Sequence, residues 1–463
     1  MEAFMFNKLF KAYDVRSTYP DPLNEDAAWK IGYATATFLT KNIPSNLAGD
    51  PQYRRLVVGR DMRPSSPSLS SALIDGIRTA GVSVVDVGMI DTSMIYFAVN
   101  DVKCCGGIQT TASHNPAHYN GFKISGLKAK PIGESTGLKD IQAMCEGLTT
   151  RPAPGTTGEL IKADLTDGYR KHVLKFLNLK RPLHVAIDGS NGMAGKLVPE
   201  IFAGAPHLKI SSINMEITGS FVHEPNPLVD ANLRQLQELV LSAGADLGVC
   251  FDGDADRCIF VDEQGRIIRC DIVTALLASH FLRSNPGAAV VYDLRSSRTV
   301  KEEIENAGGI AVRERVGHAF MKKTLAERQG VFGGELSGHF YFRDNFNCDS
   351  GAIAFACMLS VLSGRDEPVS QVLKPLLRWH DSGEINFEVA DKDGTISHLA
   401  ERYADAQIDY LDGITVQYDT WWFNVRKSNT EPLLRLNLEA GTQDLLRKKL
   451  DELSRQIGKP VSH

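Results

Sequence analysis

Asp252-Gly253-Asp254-Ala255-Asp256-Arg257 sets three carboxylates at alternate positions. Side chains so spaced can converge on one hard cation, which takes oxygen ligands. Three like charges this close repel unless a cation joins them. The flanking runs, 245–251 and 258–262, read as strands, so the acidic segment reads as a tight loop between strands. A solvated acidic turn is one rival reading. A calcium-binding helix–loop–helix is another, with Asp252, Asp254 and Asp256 at its first ligand positions and Glu263 at its closing glutamate. Against it, Arg257 stands where that loop needs glycine, and the flanks are not helical.

A second chemical stretch is Thr110-Thr111-Ala112-Ser113-His114-Asn115-Pro116. Asn-Pro forces a turn, because proline fixes φ and restricts the residue before it. A serine on such a turn presents its hydroxyl outward, beside backbone N–H groups free to hold an anion. Ser113 is thus a candidate phosphoryl carrier. The same stretch also reads as an ordinary Ser/Thr-rich loop.

Three further segments carry polar chemistry. In Gly333-Gly334-Glu335-Leu336-Ser337-Gly338-His339 the glycines allow close approach of a ligand. Glu335 can accept from sugar hydroxyls, and His339 can donate to a phosphate or move a proton. A Gly-rich turn with a surface glutamate is the plainer reading. Arg426-Lys427-Ser428-Asn429-Thr430 reads as a loop that could cradle a phosphate dianion, since arginine binds phosphate bidentately. Lys123 lies ten residues past Ser113. Tyr13 and Arg16 precede what reads as the first helix, starting near Asn24. Arg16 reads as a salt-bridge partner or as a phosphate or hydroxyl contact.

Positioning these residues takes several domains. At roughly 150 residues each, 463 residues make three domains, or four small ones. The sequence is 43% hydrophobic with a net charge of −5, so a large core is affordable and a nucleic-acid protein is disfavoured. None of the eight cysteines forms a Cys-x-x-Cys pair. They read as buried free thiols, as in a reducing cytosol. The start Met1-Glu2-Ala3-Phe4 lacks signal-peptide character. No apolar run is long enough to span a bilayer.

The unit strand, polar turn, helix occurs three times. It begins at Leu56–Asp61, at Leu183–Gly192 and at Ala288–Ser297. Strands alternating with helices imply α/β units. Arg151–Gly158 reads as a linker. The C-terminal part differs: 421–426 and 433–438 alternate apolar and polar residues, and a helix follows from about 442 to 457.

Together these motifs resemble the α-D-phosphohexomutase family, most closely its bacterial phosphomannomutase/phosphoglucomutase branch. The match runs in order from Ala12–Arg16 through Thr111–Pro116, Asn120–Lys123, Asp252–Arg257, Gly317-His318 and Gly334–His339 to Arg426–Pro432. The resemblance implies three tandem similar α/β domains with mixed sheets and a smaller C-terminal α+β domain, with the active site in the central cleft. The expected division is 1–153 with the phosphoserine loop, 154–264 with the metal loop, 265–375 with the sugar loop and 376–463 with the phosphate loop.

It further implies a mutase that exchanges hexose 1-phosphate and 6-phosphate, of mannose and/or glucose, through phosphoserine at Ser113 and a 1,6-bisphosphate. Mg²⁺ is expected on Ser113, Asp252, Asp254 and Asp256. Ser113, His114, Lys123, Arg257 and His339 are expected to be catalytic. Tyr13, Arg16, Arg295, Gly317, His318, Glu335, Ser337, Arg426, Ser428, Asn429 and Thr430 are expected to bind substrate. A cytoplasmic monomer or weak dimer acting on a small phosphosugar, with no nucleic-acid or membrane partner, completes the expectation. Alternatives are a phosphoglucosamine mutase, whose usual loops read differently from those here, and an inactive sugar-phosphate-binding protein. Two departures stand out: Ser17 where the family commonly has glycine, which would alter a local turn, and Arg295 where it usually has lysine.

Overall fold

Leu56-Val57-Val58 shows no polar alternation, as a strand covered on both faces requires. In the computed structural model these residues are fully buried in the strand Arg55–Arg60. The structure describes residues 2–153, 155–428 and 433–461. Arg55–Arg60 lies parallel to Ser83–Met89 on one side and to Gly106–Thr110 on the other. Tyr119–Ser125 turns back antiparallel, and Val15–Thr18 completes that edge, also antiparallel. The first sheet is therefore mixed.

The second and third sheets repeat the plan. Leu183–Asp188 is parallel to Leu208–Ile213 and Leu247–Phe251, and Cys258–Asp262 folds back as a hairpin. Ala289–Asp293 is parallel to Ile310–Glu314 and Phe332–Gly334, and Phe340–Phe342 folds back. In each, the polar residues that leave the central strand stand at its carboxyl end, where ligands of parallel sheets gather. The fourth sheet is antiparallel through His380–Glu388, Leu433–Ala440, Trp421–Lys427 and Ile414–Gln417.

Several expectations need correction. The first helix is Glu2–Leu9, ahead of Tyr13, and the helix capped by Asn24, Glu25–Lys41, is the second. Asn24 holds its start by accepting the Ala27 N–H, as a cap does. Ser17 makes no turn: it lies in an extended strand opposite Asn120, a place any side chain can take. Arg426 is not in a loop either. It is the sixth residue of the strand Trp421–Lys427 and almost fully buried. Its segment alternates less than the sequence suggested because both faces are covered.

One apolar cluster runs from Val57 of the first sheet through Val185 and Phe251 of the second to Phe332 of the third and Leu376 of the short helical turn Lys374–Leu376. The fourth sheet has its own core around Phe387, Trp421 and Leu436. The fourth domain meets the third through polar contacts. Arg269 pairs with Asp381, Arg313 with Asp409, and Arg298 donates to the carbonyls of Tyr418, Asp419 and Trp421. All eight cysteines are buried and unpaired. Among the described residues no helix is long and apolar enough to cross a membrane.

Candidate active site

Ser113 leaves the strand Gly106–Thr110 in a left-handed conformation, φ 51°. For a side chain with a Cβ this costs about 1–2 kcal/mol, so the neighbours must hold it. Thr111 Oγ1 accepts the Ser113 N–H at 2.9 Å. Arg63, fully buried, donates to the carbonyls of Ser113, Asn115, Pro116 and Tyr119 at 2.6–3.0 Å. Its own charge is met by Asp61. Nothing in the serine stretch signals Arg63. Its one trace in the sequence is the arginine two residues after Asp61, just past a strand end.

The loop between Phe251 and Cys258 lies directly against this turn. A Cβ on Gly253 would stand 2.4 Å from the Ser113 carbonyl, so only glycine permits the approach. Ser113 Oγ donates to Asp252 Oδ2 at 3.0 Å. Asp252, Asp254 and Asp256 are buried and can each offer an oxygen within 4.8 Å of the others. Arg257 Nε donates to Asp252 at 2.9 Å, and Lys123 Nζ lies 2.8 Å from Asp254 and 2.5 Å from Asp256. Thr92 Oγ1 donates to Asp254 at 2.5 Å.

Two oxygens of this set, Asp254 Oδ1 and Asp256 Oδ1, are buried without a hydrogen bond, the second with only the His339 Nε2 nearby at 3.5 Å. An orphaned buried carboxylate oxygen is costly. Hard oxygen donors with two such atoms fit a divalent cation. Burial, then the other two aspartates, pushes the Asp252 carboxyl up, against Arg257. Burial acts the same way on Asp256, but Lys123, His339 and Arg257 outweigh it and hold Asp256 well below the carboxylate range. Burial works against the Lys123 ammonium, yet the aspartates keep it charged, its pKa raised.

His114 Nδ1 lies 3.3 Å from Ser113 Oγ. Burial, with Arg257, Arg16 and Lys123 nearby, drives its pKa well down, so the ring is neutral. His339 shares a 2.8 Å hydrogen bond with Ser337 and sets Nε2 3.5 Å from Asp256 and 3.9 Å from Asp349. Burial opposes its charge, but Asp256 and Asp349 prevail and raise its pKa. Asp349 pairs in turn with Lys322, a buried lysine that the sequence reading passed over.

Glu335 is fixed at both oxygens. Oε1 accepts the Gly317 N–H at 2.9 Å, and Oε2 accepts the Tyr341 hydroxyl. Tyr341 was also passed over, hidden in an apolar strand. His318 starts the helix His318–Glu327, its ring 5.5 Å from Tyr13 and 6.4 Å from His339. Burial lowers its pKa, so it too is neutral. Arg16 pairs with Asp14 and donates to Asn115 Oδ1 at 2.7 Å, beside the serine turn.

Arg295 and Arg426 come together at Glu384, with Nη atoms 3.4 and 2.7 Å from Oε2. Ser428 follows the strand that carries Arg426, and Asn429 and Thr430 lie outside the described residues. Buried donors without partners remain on Arg16 Nε, Arg257 Nη2 and Arg426 Nε. Cationic donors of this kind suit an anionic ligand.

Strand ends of three similar sheets carry a serine, three carboxylates and spare guanidinium donors, and an antiparallel fourth domain adds Arg426 beside Arg295 of the third. Residues 7–151, 167–265 and 269–378 match the family descriptions "Phosphoglucomutase/phosphomannomutase, alpha/beta/alpha domain" I, II and III, and 384–456 match its C-terminal domain. The chain belongs to the phosphoglucomutase/phosphomannomutase family, whose members are mutase enzymes. It is 37% identical to the Escherichia coli K12 protein named phosphomannomutase, over 93% of this chain and 94% of that one. It is likewise 37% identical to a Xanthomonas campestris protein named phosphohexose mutases, over 96% and 98%. A crystal structure of a family member from Burkholderia thailandensis superposes with a TM-score of 0.87 at 31% identity, covering 97% and 96%.

Proposed function

We propose that this protein interconverts the 1- and 6-phosphates of mannose, glucose or both, through a phosphoserine at Ser113 and a hexose 1,6-bisphosphate. The observation that carries the reading is Ser113 Oγ, 3.0 Å from one of three buried carboxylates and held in a strained turn. Asp252, Asp254, Asp256 and the serine phosphate would hold Mg²⁺, which when bound would offset phosphoryl charge. The hexose 1-phosphate lies with its phosphate on the Arg426 and Arg295 side and its hydroxyls on Glu335 and Ser337.

The 6-hydroxyl oxygen bonds to phosphorus as the Ser113 Oγ–P bond breaks. His339 in its neutral form, the one populated above its raised pKa, takes the hydroxyl proton, and Lys123, held charged by two aspartates, returns one to Ser113 Oγ. Arg257 Nη2 donates to the phosphoryl group in transit. The bisphosphate then turns over and returns its other phosphate to Ser113, and the phosphate left on the sugar uses the same arginine anchor. Phosphoryl transfer depends chiefly on positioning and charge stabilisation, which is the equipment present. The polar seam under the fourth domain supports closure around substrate, since such interfaces permit domain motion.

The test is a coupled turnover assay with Mg²⁺ and a trace of hexose 1,6-bisphosphate, on mannose, glucose and glucosamine 1-phosphates side by side. High turnover of mannose or glucose substrate is expected, together with a single phosphate adduct in the intact mass that Ser113→Ala removes. Full turnover by Ser113→Ala would sink the phosphoserine mechanism. Preference for glucosamine 1-phosphate would overturn the choice of sugar.

A further inference from the structure

We infer that Glu384 is a positioning residue for substrate phosphate: its one carboxylate gathers Arg295 of the third domain and Arg426 and Arg435 of the fourth into a single anion cradle. This rests on the phosphate site proposed above. Glu384 lies on the strand His380–Glu388, at the step where the pairing with Leu433–Ala440 shifts register. Its side chain reaches over the neighbouring strand Leu433–Ala440, which supplies Arg435 and Asn437, to Arg426 on the strand beyond.

Oε2 accepts from Arg426 Nη2 at 2.7 Å, Arg295 Nη1 at 3.4 Å and Asn437 Nδ2 at 3.4 Å, and Oε1 accepts from Arg435 Nη1 at 3.1 Å. Arg426 pairs with Glu384 alone among the described residues, and its Nε has no partner. Arg295 is braced from the other side by Asp293. Arg295, Glu384 and Asn437 border a cavity of about 400 Å³ together with Leu336 of the sugar loop; Asp230, Asp381 and Glu439 line it too, and Arg426 and Arg435 stand outside it.

The charge arithmetic makes the carboxylate necessary. Three guanidiniums converging on one point repel one another, and unscreened by a shared anion they splay apart. With Asp293 counted on Arg295, three guanidiniums meet two carboxylates, which leaves one positive charge in surplus and an unused donor on Arg426. The surplus suits a phosphate dianion, which adds to the cradle instead of replacing Glu384. The carboxylate also spans two domains, so the cradle exists only with the fourth domain seated on the third. Burial opposes the Glu384 charge, but the three arginines hold its pKa down at about 2, so it stays charged at any working pH.

The experiment compares wild type with Glu384→Gln, Glu384→Asp and Glu384→Ala. Isothermal calorimetry with inorganic phosphate and with mannose 1-phosphate reads binding, and steady-state kinetics reads KM against kcat. Glu384→Gln keeps the shape and one acceptor and is the informative variant if Glu384→Ala fails to fold. The Glu384 side chain is 25% exposed while Arg426 is buried, so removing the carboxylate leaves a buried guanidinium unpaired, and a loss of up to about tenfold is expected. The expected result is that loss in phosphate affinity and in KM, with kcat reduced less than KM is raised, the Ser113 phosphate still seen in the intact mass, and partial recovery in Glu384→Asp. A merely structural role would lower melting temperature and kcat and leave phosphate affinity alone, and that outcome overturns the proposal. So does tighter phosphate binding by Glu384→Gln, which would make Glu384 a competitor of the substrate. A wild type that binds phosphate but turns over no hexose phosphate would defeat the mutase reading and leave calorimetry to decide on Glu384. A wild type that binds no phosphate overturns both.

Discussion

Arg63 offers the sharpest test of how the serine turn is held. Its guanidinium is fully buried, donates to four carbonyls of residues 113–119 and pairs with Asp61, whose other oxygen takes the Ser66 hydroxyl at 2.5 Å. The Phe221 ring of the second domain covers it at 5.4 Å. Arg63→Ala leaves the Asp61 carboxylate buried and unpaired, which costs about 3–5 kcal/mol. At about 2–4 °C per kcal/mol for a domain of this size, the first domain should melt roughly 6–20 °C lower by scanning calorimetry.

Arg63→Lys separates charge from geometry. One ammonium can satisfy Asp61 but cannot reach four carbonyls arranged around a planar fork. Its melting temperature should therefore lie nearer wild type, while kcat should fall as far as in Arg63→Ala. Misplacing the reacting oxygen by an ångström costs about 100-fold. Full turnover by Arg63→Lys, or a stability loss under about 1 kcal/mol in Arg63→Ala, would refute the claim that this residue sets the serine's position.

Three other outcomes follow from the same geometry. Asp91 caps the helix Thr92–Val102, takes the Tyr169 hydroxyl at 2.9 Å, and is pushed by burial to about 7. Its raised value means that the folded state holds a proton the unfolded chain has lost above pH 4. Its contribution is therefore whole below pH 4 and lost as pH rises to 7, about 4 kcal/mol in all. Asp91→Asn, an equally good cap, should gain on wild type across that window in pH-dependent unfolding, and parallel curves would refute this. Tyr341→Phe removes the hydroxyl that orients Glu335. A hydrogen bond to a charged group is worth about 1.5–3 kcal/mol, so kcat/KM should fall about 10- to 150-fold with the fold unchanged by circular dichroism. Chelation should abolish turnover, and added Mg²⁺ should restore it. Turnover surviving exhaustive chelation would remove the cation from the site.

The acidic loop, the serine turn and the Gly-Glu-x-Ser-Gly-His segment were legible in sequence because each is local. Each packs its chemistry into about six residues at a strand end, where turn residues and apolar flanks mark the place. The repeated strand–turn–helix unit was legible for the same reason, through its periodicity. Arg63, Tyr341, Lys322 and Glu384 were not. Each is a single residue in an otherwise ordinary strand, helix or turn; partners lie 42 residues apart for Glu384 and Arg426 and 50 for Arg63 and Ser113, while Tyr341, six residues from Glu335, is hidden in an apolar strand.

The sequence by itself determined which side chains could carry phosphate, metal and proton, and that they sit at the ends of strands in repeated α/β units. Only the tertiary structure decided that Ser113 Oγ meets Asp252, 139 residues on, and that Lys123 lies among the aspartates. It also decided that part of the first domain joins the second and third in one apolar cluster while the rest keeps its own core, and that the fourth meets the third through polar contacts. Local patterns fix hydrogen bonding along the chain and the face that each element buries. Which elements then meet depends on glycines such as Gly253 that let backbones touch, and on buried charges that find their partners only once the domains have packed.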